Sequence, residues 1–495
     1  MTFRIIPVGG CLQGLTYQTN LSAIERRALS VGKCAMWSEV DISPLDTPQA
    51  TLDTQSSAAS QQSTRYLTHL RIPHSGEHTL DVTIIGGGMI THDQILPTVY
   101  HLQRTGHLND ITVSARRVST LQTLADNEQI RAACPDQQFR AAPPLDAPAD
   151  KLHSEAYKEV LAGMSPRQAV IVAIPDQDHY RVVMDTLAAN QHILCVKPLV
   201  MTYREGVEIK EAAYEKGLFI GVEYHKRLDR RALMARQQYR EGRFGEFAMG
   251  EAKMIEPYFY RDSNFQNWFT TDQTDPFVYV GCHYVDQVFF ITGLKPVEVS
   301  VSGVTRQFPN GNEAYMWANG RVKFENGAIL SVIDGLGYPD QGAGANDQGL
   351  VMYCEGEGRS GLIQHNDQDR GVRLAYVTGT GAGGSAYNYV SPDFYRFIPW
   401  DGPGLMPVGY GHDSIVSILD KIRQIEAAVD GMDVAASLAH RREMIKETDE
   451  RGLLATPANS YINELVTEAA RISIQSDGDW VKISYGDHPN VARRR

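Results

Sequence analysis

From Leu80 onward the chain alternates short runs of β-branched and aliphatic residues with longer stretches in which apolar side chains recur every three or four positions. Val82-Thr83-Ile84-Ile85 reads as a strand and stops at Gly86-Gly87-Gly88; beyond the glycines Ile95, Val99, Tyr100 and Leu102 fall on one helical face. Ile111-Thr112-Val113 predicts a second strand. Ala169 to Ile174 is apolar on both faces, as a buried parallel strand is, and leads into a helix over Gln177–Asn190 and a strand at Ile193–Val196. Thr202 is placed to cap a helix that runs to Lys216 and stops at Gly217, with another strand at Leu218–Val222. Strand alternating with helix in this way predicts an α/β unit with a doubly wound parallel sheet, covered on both faces.

The second half has a different rhythm. Val297 to Val304 alternates with period two, and Val322 to Leu330 carries Asn326-Gly327 between two strand patterns, a hairpin signal. Antiparallel strands with one solvated face are expected to dominate there. Gly342–Gly349 and Gly379–Gly384 read as glycine-rich loops, either lids or long connections. Ile415, Ile418, Leu419, Ile422 and Ile425 make an apolar helix stripe, and a further helix covers Ala458–Ser473. The first 78 residues break the pattern: Ile5–Val8 and Trp37–Val40 read as short strands, Leu21–Ser30 as a short helix and Thr47–Thr64 as a Ser/Gln/Thr-rich linker. The expected organisation is an appendage over 1–78, either wrapping a neighbouring subunit or packed on its own domain, a doubly wound domain over 79–200, and a second α/β domain over 201–495.

Composition narrows the function. The 495 residues, 42% hydrophobic and 21% charged, belong to a globular chain of two or more domains. A net charge of −12 argues against nucleic acid or an anionic membrane surface as the main partner. The six cysteines show no C-x-x-C spacing, so no metal is expected and a reducing, cytoplasmic setting is. No run reaches the length of a membrane span, and the start is too short in apolar residues for a secretory signal.

The chemistry sits at strand ends. Gly86 permits a tight turn after a strand, Gly88 lets backbone N–H groups approach a pyrophosphate, and a helix opening at Met89-Ile90 favours its negative charge. Thr91 stands where a third glycine is usual, which sets the helix slightly farther from the strand. The second strand ends in Ser114-Ala115-Arg116-Arg117; without an acidic residue there the cofactor is NAD or NADP, Arg116 being able to meet a 2′-phosphate. Ile174-Pro175 and His179 turn where the nicotinamide side of such a cofactor lies. Lys197 closes an apolar strand ahead of a proline, at the sheet edge where ligands bind, and is poised to exchange protons beside an oxidised nicotinamide. His283 and Asp286 lie one turn apart, so the carboxylate is expected to orient an imidazole suited to proton transfer. Glu223-Tyr224-His225-Lys226-Arg227 offers sugar-hydroxyl donors or, equally, a solvated turn.

Together GGGMI, AIPDQDH, VKP, GCHYVD and FENGAIL resemble the glucose-fructose oxidoreductase and inositol dehydrogenase family, Gfo/Idh/MocA, over residues 81 to 473. The resemblance implies an amino-terminal Rossmann domain, a carboxyl-terminal α/β domain on an open, largely antiparallel mixed sheet, and homo-oligomers, dimers or tetramers, formed through that sheet. It also implies Lys197 and His283 as the catalytic pair, with sugars, cyclitols or their derivatives as substrates. Two positions depart from the family pattern: Val196 replaces a glutamate, and Tyr279, four before His283, replaces an aspartate and could itself donate or accept the hydroxyl proton. The stretch GMITHDQILPTVYHLQR is similar to members that oxidise the 3-hydroxyl of glycosides, some of which start C-glycoside cleavage. The expected function is NAD(P)-dependent oxidation of a secondary hydroxyl of a carbohydrate; a glycoside-cleaving enzyme with recycled NAD, and a non-catalytic cofactor-binding sensor, fit the same motifs.

Overall fold

The computed structural model describes residues 78–149, 151–340, 346–356, 360–366, 372–377, 385–390 and 393–494. The elements expected before residue 78, and the glycine-rich stretches over 342–345 and 379–384, lie outside the described residues. The compact unit Arg71–Arg495 is built on two large sheets.

The first sheet contains β1 (Leu80–Ile85), β2 (Leu108–Ser114), β3 (Arg140–Ala142), β4 (Ala169–Val172), β5 (His192–Val196) and β6 (Ile220–Glu223), in the order β3-β2-β1-β4-β5-β6. Every neighbouring pair is parallel. The order reverses between β1 and β4, so the crevice outside their carboxyl ends is where a doubly wound sheet binds a ligand. Gly86 leaves β1 and Ile174-Pro175 follows β4 at that point. The helix Tyr203–Lys216 shows both of its sequence signals: the Thr202 side chain and Glu205 form a reciprocal capping box, and Gly217 ends the helix in the left-handed conformation at φ 61°.

The second sheet uses β7 (Glu246–Pro257), β8 (Pro296–Gln307), β9 (Glu313–Phe324), β10 (Ile329–Tyr338), β11 (Asp347–Glu355) and β12 (Gly361–Asn366). Between these and the end of the chain come two small hairpins, β13 (Val372–Val377) with β14 (Ser385–Val390) and β15 (Arg396–Pro399) with β16 (Leu405–Val408). The strands β17 (Val481–Ser484) and β18 (Asn490–Arg493) then complete the order β12-β11-β7-β10-β9-β8-β17-β18. Only β7 and β10 pair in parallel; the other pairs are antiparallel. The Asn326-Gly327 turn joins β9 to β10, with Gly327 at φ 88° and the Asn326 amide donating to the Phe247 carbonyl at 2.9 Å, which ties the hairpin to β7.

Two helices, Cys282–Thr292 and Ile462–Ile474, bury their apolar faces on this sheet, joining Val285, Val288, Leu465 and Ala469 to Val299, Val322 and Leu330 in one core. The helix Tyr410–Ala428 packs instead on the first sheet: Ile415, Ile418, Leu419, Ile422 and Ile425 share a core with Leu80, Ile84, Leu194 and Phe219. The chain thus returns, late, to seal its earliest strands. Among the described residues no helix is long and apolar enough to cross a membrane.

Candidate functional site

The glycine turn is built as its spacing requires. Gly86 has φ +115°, and a Cβ there would overlap the Ala173 carbonyl, so β1 can pass this close to β4 only without a side chain. A Cβ on Gly88 would meet nothing within 4 Å, so the space over the turn is open to a ligand. Helix begins at Met89-Ile90 and passes through a π-helical segment, Thr91–Ile95. The buried Thr91 hydroxyl donates to the Gly86 carbonyl at 2.8 Å, so the residue in the third glycine's place tightens the turn. Open space above a strained strand-to-helix turn at the sheet's switch point fits a dinucleotide pyrophosphate. Arg116, at the end of β2, is half exposed and 3.8 Å from Asp178. Ile174 borders the turn, its Cγ2 3.1 Å from where a Gly86 Cβ would lie.

His179 does not reach this crevice, contrary to the expectation from its position. It is fully buried, with Nδ1 2.8 Å from the Pro198 carbonyl oxygen and Nε2 2.9 Å from that of Ile174. Burial opposes a charge there; the Cys195 sulfur, the Asp176 carboxyl and the Ile174 carbonyl outweigh it and raise the imidazole to about 10. The imidazole bridges the end of β4 to the Lys197-Pro198 step through these two contacts.

Lys197 follows β5, and its ammonium donates to the Tyr279 carbonyl while lying 4.1 Å from the centroid of the Tyr279 ring. Tyr279 belongs to a π-helical turn, Phe277–Gly281, that leads straight into the helix carrying His283. Such turns recur at functional sites because they displace one residue from the helical register. Phe265, Trp268 and Phe269 surround the Tyr279 ring at 5.2, 5.8 and 5.7 Å between centroids, and Met89 of the glycine turn packs on the same aromatic cluster. The two halves of the site are therefore in contact. Burial, then Glu256, Asp176 and Cys282, push the Tyr279 phenol well above its ordinary value, which favours its protonated, hydrogen-bond-donating form.

His283 is almost completely buried, and burial, then His225, Lys197 and Lys226, hold its imidazole well below the ordinary range. It is neutral at physiological pH. Asp286 does not orient it. Both Asp286 oxygens are taken by Arg227, Nε at 2.8 Å and a terminal nitrogen at 2.5 Å, and Asn463 adds a third bond at 2.8 Å. His283 instead lies with its ring 4.5 Å from that of His225, tilted by 33°, and edge-on to Tyr224 at 6.2 Å.

The run Glu223 to Arg227 is not a solvated turn, since all five side chains are buried beneath the carboxyl end of the first sheet. Glu223 Oε2 is 3.2 Å from His225 Nδ1, and Lys226 donates to Gln348 at 2.7 Å. Sequence reasoning missed Glu256 on β7 altogether. Burial raises that carboxyl, partly offset by Asn346, Lys197, Tyr260 and Lys226. Its signal, an acid at an inward position of an alternating strand, is visible only once the strand's faces are known.

Comparison with known proteins agrees with this geometry. Residues 80–224 match the GFO_IDH_MocA description "Oxidoreductase family, NAD-binding Rossmann fold", and residues 232–344 match "GFO/IDH/MocA C-terminal domain", together more than half of the chain. An uncharacterized oxidoreductase of Schizosaccharomyces pombe is 31% identical over 183 residues, 36% of this chain and 47% of that protein. A D-glucoside 3-dehydrogenase of Escherichia coli is 23% identical over 269 residues, 51% of this chain and 68% of that protein. The chain thus spans about half the length, or less, of the first curated relatives it matches. Levoglucosan dehydrogenase in complex with NADH and L-sorbose superposes with a TM-score of 0.54 at 16% identity, over 82% of this chain and 99% of that one. The scyllo-inositol dehydrogenase from Lactobacillus casei, with bound NAD(H) and scyllo-inositol, gives 0.51 at 11% identity, over 82% and 99%. At these identities the likeness is one of fold.

Proposed function

This chain belongs to the Gfo/Idh/MocA family of NAD-binding oxidoreductases, and from that premise we propose that it oxidises a secondary hydroxyl of a sugar or glycoside, with the 3-hydroxyl the first candidate. Gly86, Gly88, Met89 and Ile90 would hold the pyrophosphate of a bound dinucleotide, Ile174 and Pro175 would border its nicotinamide, and Arg116 would meet its adenosine ribose. The nicotinamide supplies the hydride acceptor when bound. The chain's own residues manage the proton: Lys197, anchored on the Tyr279 carbonyl, donates a hydrogen bond to the hydroxyl oxygen as negative charge gathers on it, and neutral His283 accepts the proton that oxygen releases. The carbon loses hydride, the oxygen loses its proton, and a ketone remains.

The observation that carries this reading is the anchoring of Lys197 one helical turn before His283, on a tyrosine whose aromatic cluster also seats Met89. The carbohydrate substrate is supported by relatives and structural neighbours named for glucoside, levoglucosan and inositol dehydrogenation. The test is absorbance at the reduced-nicotinamide band while free hexoses, methyl glycosides and inositols are added with NAD or NADP. A 3-deoxy analogue should be inert where its parent reacts. Lys197→Ala should lower kcat by roughly a hundredfold or more at unchanged cofactor affinity. Silence across the panel with both cofactors, or a fully active Lys197→Ala variant, sinks the proposal.

A further inference from the structure

We infer that His225, packed ring to ring against His283 and braced from behind by Glu223, is the positioning residue that aims the imidazole receiving the substrate's proton; this rests on the proton-acceptor role proposed above. A base must present one ring nitrogen to the hydroxyl, so something must fix its ring. In a histidine base that is commonly a carboxylate on the other nitrogen. Here Asp286, the candidate by spacing, is consumed by Arg227 and Asn463, and His283 Nδ1 has no hydrogen-bond partner among the described residues. The rings are what remains: His225 at 4.5 Å on one side and the edge of Tyr224 at 6.2 Å on another.

His225 is itself held rigidly. Its Nδ1 lies 3.2 Å from Glu223 Oε2, and Phe394 and Tyr410 close in at 5.3 and 5.5 Å between ring centroids. Glu223 ends β6 and pairs in register with Val196 on β5, the residue before Lys197. Glu223 thus stands one ladder position across from the strand that leads into Lys197, with its carboxyl on His225. The ionisable groups facing the two rings are Glu223 on β6, Tyr224 and Lys226 beside His225, Lys197 after β5, and Tyr410 on the late helix. His225 opposes protonation of His283, so replacing its imidazole should let His283 protonate more readily.

His225→Phe keeps a ring without a titration, and His225→Asn keeps a hydrogen-bond donor without a ring. With whichever substrate and cofactor show reduction, His225→Asn should lower kcat by roughly ten- to a hundredfold with cofactor Kd unchanged, while His225→Phe, which keeps the ring but leaves Glu223 unpaired, should lose markedly less. In the cofactor-free protein labelled with 15N-histidine, the His283 titration should move to higher pH in His225→Phe. An Asn variant with wild-type kcat, a Phe variant as slow as Asn, or a His283 titration unmoved by Phe overturns the inference. If wild type reduces neither cofactor on any substrate, the functional reading fails by itself, and the nitrogen titration still decides whether His225 governs His283.

Discussion

Arg227 and Asp286 form a two-point ion pair closed off from solvent, the guanidinium reaching across from the turn after β6 to the helix that carries His283. A further bond from Arg227 to Asn459 at 3.1 Å makes this one joint between the two sheets' edges and the loop before the last long helix. Replacing Asp286 with alanine strands a buried guanidinium, and loss of one partner of such a pair costs about 3–5 kcal/mol. Asp286→Ala should therefore unfold at much lower denaturant, with the full loss present before any cofactor is added. An unchanged midpoint would show that the pair contributes nothing net.

Gly86 and Gly88 should respond differently to the same added methyl group. Gly86→Ala forces both a left-handed backbone and an overlap with Ala173, so it should lower the melting temperature and abolish dinucleotide binding. Gly88→Ala meets open space and should melt like wild type, yet bind NAD at least roughly tenfold more weakly because the methyl occupies the approach to the turn. Wild-type affinity in Gly88→Ala, measured by calorimetry, would place the pyrophosphate elsewhere.

Acid should loosen the contact around His101. Arg104 points two nitrogens at His101 Nδ1, at 3.1 and 2.8 Å, and also binds the Ala133 and Pro403 carbonyls while stacking on Trp400. Burial, then Arg104 and His107, push His101 down to about 4, and burial, then His101, pushes His412 to about 3. Both are neutral in the native state, whereas in the unfolded chain they take up protons near pH 6.5. The unfolded state therefore binds more protons between those values, and stability that is complete above pH 6.5 falls as the pH drops toward 4, by up to about 1.4 kcal/mol per pH unit for each histidine. His412→Asn should flatten the fall in melting temperature over that window; an equally steep fall would assign it to other groups.

Asp334 has the opposite sign. It is fully buried, neither oxygen has a hydrogen-bond partner among the described residues, and burial, then Asp275 and Glu256, raise its carboxyl well above the ordinary value. The folded state keeps a proton that the unfolded state releases near pH 4, so this group subtracts stability as pH rises past 4. Asp334→Asn, of the same shape, should raise the melting temperature at pH 8 more than at pH 5. Equal shifts at both would show that the carboxyl is not protonated in the native state.

The elements that sequence alone made legible are those whose signals are local. Thr202 and Gly217 mark both ends of their helix by hydrogen bonding and backbone conformation, and Asn326-Gly327 marks its hairpin the same way. The helix Val434–Arg451 gives only a weak apolar pattern, because Ile445 and Met444 reach the core while much of its docking is polar, Arg441 donating to the Gly217 carbonyl at 3.0 Å. Site residues divide likewise. Spacing places His283 and Asp286 on one helical face, but an arginine 59 positions earlier in the chain claims the carboxylate first. Five polar residues in a row at Glu223–Arg227 look solvated until the helix Tyr410–Ala428 roofs them, as the approach of Tyr410 to His225 shows.

That late helix also sets a timetable for the nascent protein. The strands it covers are complete when residue 223 has been made, but their seal arrives only with residues 410–428. At roughly 5–20 residues per second on the ribosome, the interval lasts about ten to forty seconds, during which Leu80, Ile84 and Phe219 lack the cover that Ile415, Ile418 and Ile422 later add to their core. The half that binds the dinucleotide is thus first to be translated and among the last to be finished, and a fragment released before the helix emerges should be insoluble.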